Sequence, residues 1–144
     1  PSTPVSGLDS WDTSSATDIS SILRNQTNYN EDLSSWNVSN VTNMGNTFFG
    51  ATSFDQNLSS WDIANVTNFS NFAKNTTFST SNYDAILIGW EATLQAAFPN
   101  GTGYTPIISI NFGGSEYTGG GAAATARASL ISNFSWSITD GGIA

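Results

Sequence analysis

The chain has 144 residues, about one domain's worth, and a formal charge of −8, with Arg24, Lys74 and Arg127 as its only cations. Such a surface is a poor partner for a nucleic-acid backbone or an anionic membrane face. Cys and His are both absent, which removes disulfides, thiolate metal sites and every nucleophile or general base that depends on histidine.

Charged residues make up only 10% of the chain, and Ser, Thr and Asn supply most of its polarity. That composition is common in secreted and surface-displayed proteins. No apolar run of about 18 residues exists to span a bilayer. The chain starts at Pro1, without an initiator Met, and reads as a processed chain or a piece of a longer protein.

Residues 1–7, Pro-Ser-Thr-Pro-Val-Ser-Gly, read as an extended linker. From Leu8 a repeat begins. Leu33-Ser34-Ser35-Trp36-Asn37-Val38-Ser39-Asn40-Val41-Thr42-Asn43 returns as Leu58-Ser59-Ser60-Trp61-Asp62-Ile63-Ala64-Asn65-Val66-Thr67-Asn68. A worn copy runs from Leu8 to Asp18. Tryptophans at 11, 36 and 61 set a period of 25 residues, the signature of stacked units that bury apolar surface against one another. Leu33, Trp36 and Val38 follow leucine-rich-repeat spacing, so each unit predicts a short strand with Trp36 and Val38 inward and Ser35 and Asn37 outward.

Asn40 reads as a helix N-cap, with Ser15 and Asn65 in the same place. Val41, Met44 and Phe48 then recur at helical spacing, as do Val66, Phe69, Phe72 and Ala73, and Ile19, Ile22 and Leu23. Gly50 reads as a C-cap. The expected fold is therefore α/β: a short leucine-rich-repeat-like solenoid, strand plus short helix per repeat, over residues 8–80.

After Phe78 the period fails, and residues 81–144 read as a C-terminal α/β cap of the same domain. Residues 82–98 predict a long helix ended by Pro99-Asn100-Gly101. Residues 105–112 predict a strand closed by Gly113-Gly114, residues 122–132 a small-residue helix, and residues 136–139 a last strand.

The run Leu58 to Phe69, preceded by Ser53-Phe54-Asp55-Gln56-Asn57, resembles the repeat of the BspA-like bacterial surface proteins. That repeat reads roughly F-N-Q-D-L-S-x-W-D-V-S-N-V-T-x-M. Residues Asn82 to Trp90, and Tyr117 through Gly142, resemble the module that closes such arrays. Copy one departs from the pattern at Thr13 and Ala16 and lacks the lead-in. The resemblance covers residues 8–142. It implies a surface-exposed, cell-attached or secreted protein, in some members an adhesin, or a virion appendage. It implies no catalytic residues.

The outward columns Asp12, Asn37, Asp62 and Ser10, Ser35, Ser60 are the candidate ligand-binding residues. Stacked units would place each column at about 5 Å spacing, a polar ladder able to hydrogen-bond a glycan or peptide. The same residues can simply solvate the face. No Asp-x-Asp-x-Asp calcium loop occurs, and Gly119-Gly120-Gly121 lacks a P-loop Lys. The sequons at Asn37, Asn40, Asn65 and Asn68 fit capping as well as glycosylation. The Thr17, Thr42, Thr67 column suits local backbone bonding better than ice binding. Asp84, Glu91, Glu116 and Asp140 are not paired by sequence for acid–base work.

The expectation is a non-enzymatic, extracellular adhesion or recognition module. It needs no cofactor and no metal, binds a surface polysaccharide or protein, and neither enters a membrane nor binds nucleic acid. The alternative is a structural appendage of a virion or extracellular filament, assembling with a larger surface protein or fibre through its N-terminal end.

Overall fold

In the computed structural model, which describes residues 5–144, the repeats stack without the strands and helices predicted for them. Residues 1–4 of the expected linker lie outside the described residues. Among the described residues before 80, regular structure is limited to a 3₁₀ turn at Leu8–Ser10 and isolated parallel bridges, Asp18 to Asn43 and Asn43 to Asn68. The strand-plus-helix solenoid is therefore overturned. The described residues hold two α-helices and two small two-stranded parallel sheets, all beyond residue 79.

The predicted short helices fail for a local reason. Ser21, Asn46 and Asn71 have φ of 59°, 57° and 53°, and Asn25, Gly50 and Asn75 have φ of 59°, 68° and 62°. Two left-handed residues in each copy break an α-helix, and Asn and Gly are the residues that enter that region most readily. The result is a run of tight turns. In residues 44–51 the N–H groups of Thr47, Phe49 and Ala51 donate to the carbonyls three residues back, at Met44, Asn46 and Phe48. The alternate N–H groups, at Met44, Asn46, Phe48 and Gly50, donate to Asn68, Ser70, Phe72 and Lys74 of the next copy. Residues 19–26 bond in the same way onto 43–49. Apolar periodicity at 3, 4 and 7 is thus met by consecutive turns that bury Met44, Thr47, Phe48 and Ala51.

Each copy is then a coil: coil 1 is residues 8–32, coil 2 is 33–57 and coil 3 is 58–79. The inward column is Leu8, Leu33 and Leu58; Trp36 and Trp61; Val38 and Ile63; and Val41 and Val66, all buried. The inward–outward split expected around Trp36 holds in burial, although no strand forms there. The tryptophan rings stack along the axis, Trp11 on Trp36 at 6.5 Å and Trp36 on Trp61 at 6.3 Å, nearly parallel. Each inner indole N–H is satisfied by the coil before it: Trp36 Nε1 donates to the Leu8 carbonyl and Trp61 Nε1 to that of Leu33.

The C-terminal part closes the stack. Helix α1, Thr80–Ala97, is capped by the Ser79 hydroxyl and buries Tyr83, Ile86, Leu87, Trp90 and Leu94. Its Trp90 takes the next tryptophan slot, donating Nε1 to the Leu58 carbonyl at 2.9 Å. The period that ends in sequence at residue 86 is thus resumed in space four residues later. Gly89 makes this possible, since a Cβ there would clash with the Ser59 carbonyl oxygen. Strand β1, Ser109–Asn111, lends its Asn111 carbonyl to the Ala73 N–H, continuing the inter-coil bonding.

With a 3₁₀ turn at Pro99–Gly101 after α1, four further helices and strands complete this part. They are β2, Glu116–Tyr117; α2, Ala122–Ser132; β3, Ser137–Thr139; and β4, Gly142–Ile143. β1 pairs with β3 and β2 with β4, both parallel. The predicted helices and the strands near 109–111 and 137–139 form; β2 and β4 were not anticipated.

Candidate functional site

The Asp12, Asn37, Asp62 column is exposed, but its inner oxygens are used by the fold. Asp12 Oδ1 accepts the Ser14 N–H and hydroxyl, Asn37 Oδ1 those of Ser39, and Asp62 Oδ1 the Ala64 N–H. These are Asx turns, in which a short carbonyl side chain stands in for the backbone. The Ser14 hydroxyl and N–H hold the Asp12 carboxyl below the usual carboxylate range. The serine column is likewise engaged: Ser35 Oγ donates to the Asp9 carbonyl, Ser60 Oγ to that of Ser34, and Ser10 Oγ to that of Gly7.

The residues expected as helix caps bind neighbouring coils instead. Asn40 Nδ2 donates to the Ser14 carbonyl and Asn65 Nδ2 to that of Ser39. Asn68 Nδ2 donates to Asn43 Oδ1, and Asn43 Nδ2 to Asp18 Oδ2, an amide ladder that ends at a carboxylate able only to accept. The threonine column does the same, with Thr42 Oγ1 on the Thr17 carbonyl and Thr67 Oγ1 on that of Thr42.

A concave feature lies one step away. Asp32, Ser34, Gln56, Asn57, Ser59 and Ser60 line an open groove of about 390 Å³ across the coil junctions. Asp32-Leu33-Ser34 and Asn57-Leu58-Ser59 are equivalent segments, each an Asx turn with Oδ1 accepting the serine N–H. The Ser34 N–H, with its hydroxyl second, holds the Asp32 carboxyl low, so it stays ionised. Among the described residues the second Asp32 oxygen, the Asn57 amide nitrogen and the Ser59 hydroxyl make no hydrogen bond within 3.5 Å. Gln56 is tied down through Nε2 to Asn30. Of the candidates read from sequence, only Ser60 lines this groove. The Asx-Leu-Ser steps at residues 32–34 and 57–59 were the available signal for Asp32, Ser34, Asn57 and Ser59.

The tail carboxylates are dispersed. Asp84 accepts the Thr118 N–H and hydroxyl, and Glu91 accepts the Ser129 hydroxyl. Asp140 is held by Arg127 at 2.8 Å, by the Tyr83 hydroxyl at 2.6 Å and by the Gly142 N–H. Burial, then the bond to Asp140, pushes the Tyr83 hydroxyl well above the ordinary phenol range. Among the described residues no three His, Cys, Asp or Glu side chains gather as a metal site, and no helix is long and apolar enough to cross a membrane.

A search of curated proteins finds no match, and neither does a search of solved structures. The family described as "Mycoplasma protein of unknown function, DUF285" matches residues 2–100, a span that holds all three coils and α1. With more than half of its length matched, the chain belongs to that family.

Proposed function

We propose that this chain is a non-enzymatic, surface-exposed recognition or adhesion module that binds an extracellular polysaccharide or protein across its coil junctions. The observation that carries the reading is the open groove with its unspent donors and acceptor, Asn57 Nδ2, Ser59 Oγ and the second Asp32 oxygen. Carboxylate and amide groups beside hydroxyls suit a ligand rich in hydroxyl groups or an extended backbone. Equivalent groups recur one coil apart, a spacing of about 5 Å, so an extended ligand can engage both. The likeness of the 25-residue pattern to BspA-like surface proteins supports the same reading and an extracellular location.

The test is binding to arrayed bacterial and host-surface glycans and to extracellular matrix proteins. Asp32→Asn and Asn57→Asp each keep the Asx turn, because both residue types make it here, while exchanging donor for acceptor. Loss of binding in either, with Asp12→Asn unaffected, is the expected result. Unchanged binding in both variants would move the site elsewhere, and an array with no ligand would remove the recognition reading.

A further inference from the structure

The three cations of the chain are used differently. Arg127 is spent on Asp140, with Nε 2.8 Å from the carboxylate. Arg24 and Lys74 are both exposed. Among the described residues neither the Arg24 guanidinium nor the Lys74 ammonium makes a hydrogen bond or an ion pair.

These two cations stand in one column with Phe49 between them. Residues 24, 49 and 74 hold equivalent places in the three coils, since each N–H closes a turn onto the carbonyl three residues back, at Ser21, Asn46 and Asn71. The coils are joined by backbone bonds at this point, from the Asn25 N–H to the Phe49 carbonyl and from the Gly50 N–H to the Lys74 carbonyl. Neighbours in the column are therefore about one strand spacing apart, roughly 4.8 Å. Arg24 lies over the Phe49 ring, 5.2 Å from its centroid, a cation–π contact that steadies the guanidinium and leaves its N–H fork free.

The turn segments that carry this column hold no opposing charge. All 11 carboxylates of the chain fall outside residues 19–26, 44–51 and 69–76. The nearest in sequence, Asp18, is engaged by the Ser20 N–H and the Asn43 amide. In a chain of net charge −8, a flank with two unpaired cations and no carboxylate is suited to an anionic ligand.

Spacing separates the possible anions. Arg24 and Lys74 are two coils apart, roughly 9.6 Å. Side chains on one side of an extended peptide recur about every 6.7 Å, which does not bring successive carboxylates to both cations. An extended glycan with one carboxylate per disaccharide repeats its charge at close to the two-coil distance. The arginine fork takes a carboxylate through two parallel N–H bonds, and the lysine meets the next as a point charge.

We propose that the Arg24–Phe49–Lys74 column binds an acidic polysaccharide with one uronic-acid carboxylate per disaccharide, successive carboxylates seating on Arg24 and Lys74. This surface is separate from the Asp32–Ser60 groove, whose lining holds a carboxylate and no cation, and does not rest on it.

Titration calorimetry of the full chain with a hyaluronan oligosaccharide, with its carboxyl-reduced form and with polyglutamate of equal charge tests this. The hyaluronan oligosaccharide binds at low salt and weakens as salt rises; the carboxyl-reduced form does not bind, and polyglutamate binds more weakly. Arg24→Gln and Lys74→Gln each weaken binding about 3- to 10-fold, and the double variant abolishes it. Arg24→Gln/Asp62→Asn, which keeps the net charge at −8, stays as weak as Arg24→Gln. Asp32→Asn leaves binding unchanged, so a failure of the groove reading is seen apart from a failure here. Any of four results overturns the proposal: no binding of the hyaluronan oligosaccharide; equal binding by wild type and the double variant; polyglutamate binding as tightly as the oligosaccharide; or full recovery of Arg24→Gln by Asp62→Asn, which would make net charge the cause.

Discussion

Coils 1–3 and the closing part bury similar kinds of side chain but satisfy their backbones in opposite ways. In the closing part, α1 and α2 pair N–H with C=O inside each element, and a few short parallel pairings finish the work. In the coils, alternate N–H groups cross to a neighbour 24 residues away. The coils therefore have little structure that any one of them could hold alone, while α1 carries its own ladder. A repeat can be regular in sequence and in space without being regular secondary structure.

The largest contrast should come from the tryptophans. Trp61→Ala removes a fully buried ring stacked on Trp36 and its bond to Leu33, and should cost about 3–5 kcal/mol in denaturant unfolding. Trp11→Ala, at the open end, should cost about 1 kcal/mol or less. Equal losses would mean that the coils are not stabilised by their neighbours as described.

In the closing part the counterpart is Asp140→Asn. It strips Arg127 of its partner at a site where the Asp140 side chain is almost wholly buried, and should cost about 3 kcal/mol. A loss confined to a partial transition, seen by hydrogen exchange over residues 116–144, would show that the two regions unfold separately.

A gain is expected at Thr13. Its hydroxyl is buried without a partner, in the place of Val38 and Ile63. Thr13→Val should raise stability by about 1 kcal/mol in thermal or denaturant melts; a loss would mean that the hydroxyl has a role.

The smallest effect is in pH. The carboxyls of Asp12 and Asp18, each bonded to the side chain and N–H of the serine two residues on, are held below their ordinary value. A depressed folded-state value gives stability that is present above the unfolded carboxylate value, about pH 4, and is lost as pH falls through the folded one. Asp12→Asn/Asp18→Asn should therefore flatten the acid limb of a melting-temperature profile below about pH 4. An unchanged limb would place the acid sensitivity outside the coils.

Much of this was legible in the residues. The period, the inward column of Leu, Trp and Val, and both helices of the closing part follow from spacing that has one good solution. The local conformation of residues 19–26, 44–51 and 69–76 was not. Apolar spacing at 3 and 4 fits a helix as well as a chain of turns, and the decision lay with Asn46, Asn71, Asn25 and Asn75 at left-handed positions. Asparagine signals caps, turns and ladders alike, so its role was settled by neighbours 25 residues away. The candidate ladder at Asp12, Asn37 and Asp62 was read correctly as outward, but its commitment to Asx turns needed geometry. The groove needed the junction between coils, and the slot filled by Trp90 needed the fold of α1.

The crossing bonds have a consequence for size. Each coil fits the next only when every donor from Met44 to Gly50 meets its acceptor from Asn68 to Lys74, so a partial insertion spoils the whole row. The chain can change length only by whole coils, each adding about one strand spacing, roughly 4.8 Å. The stack is a ruler with a fixed division. Adding or removing a coil between Trp11 and α1 would move coil 1 relative to the closing part by that increment and leave both chemically the same.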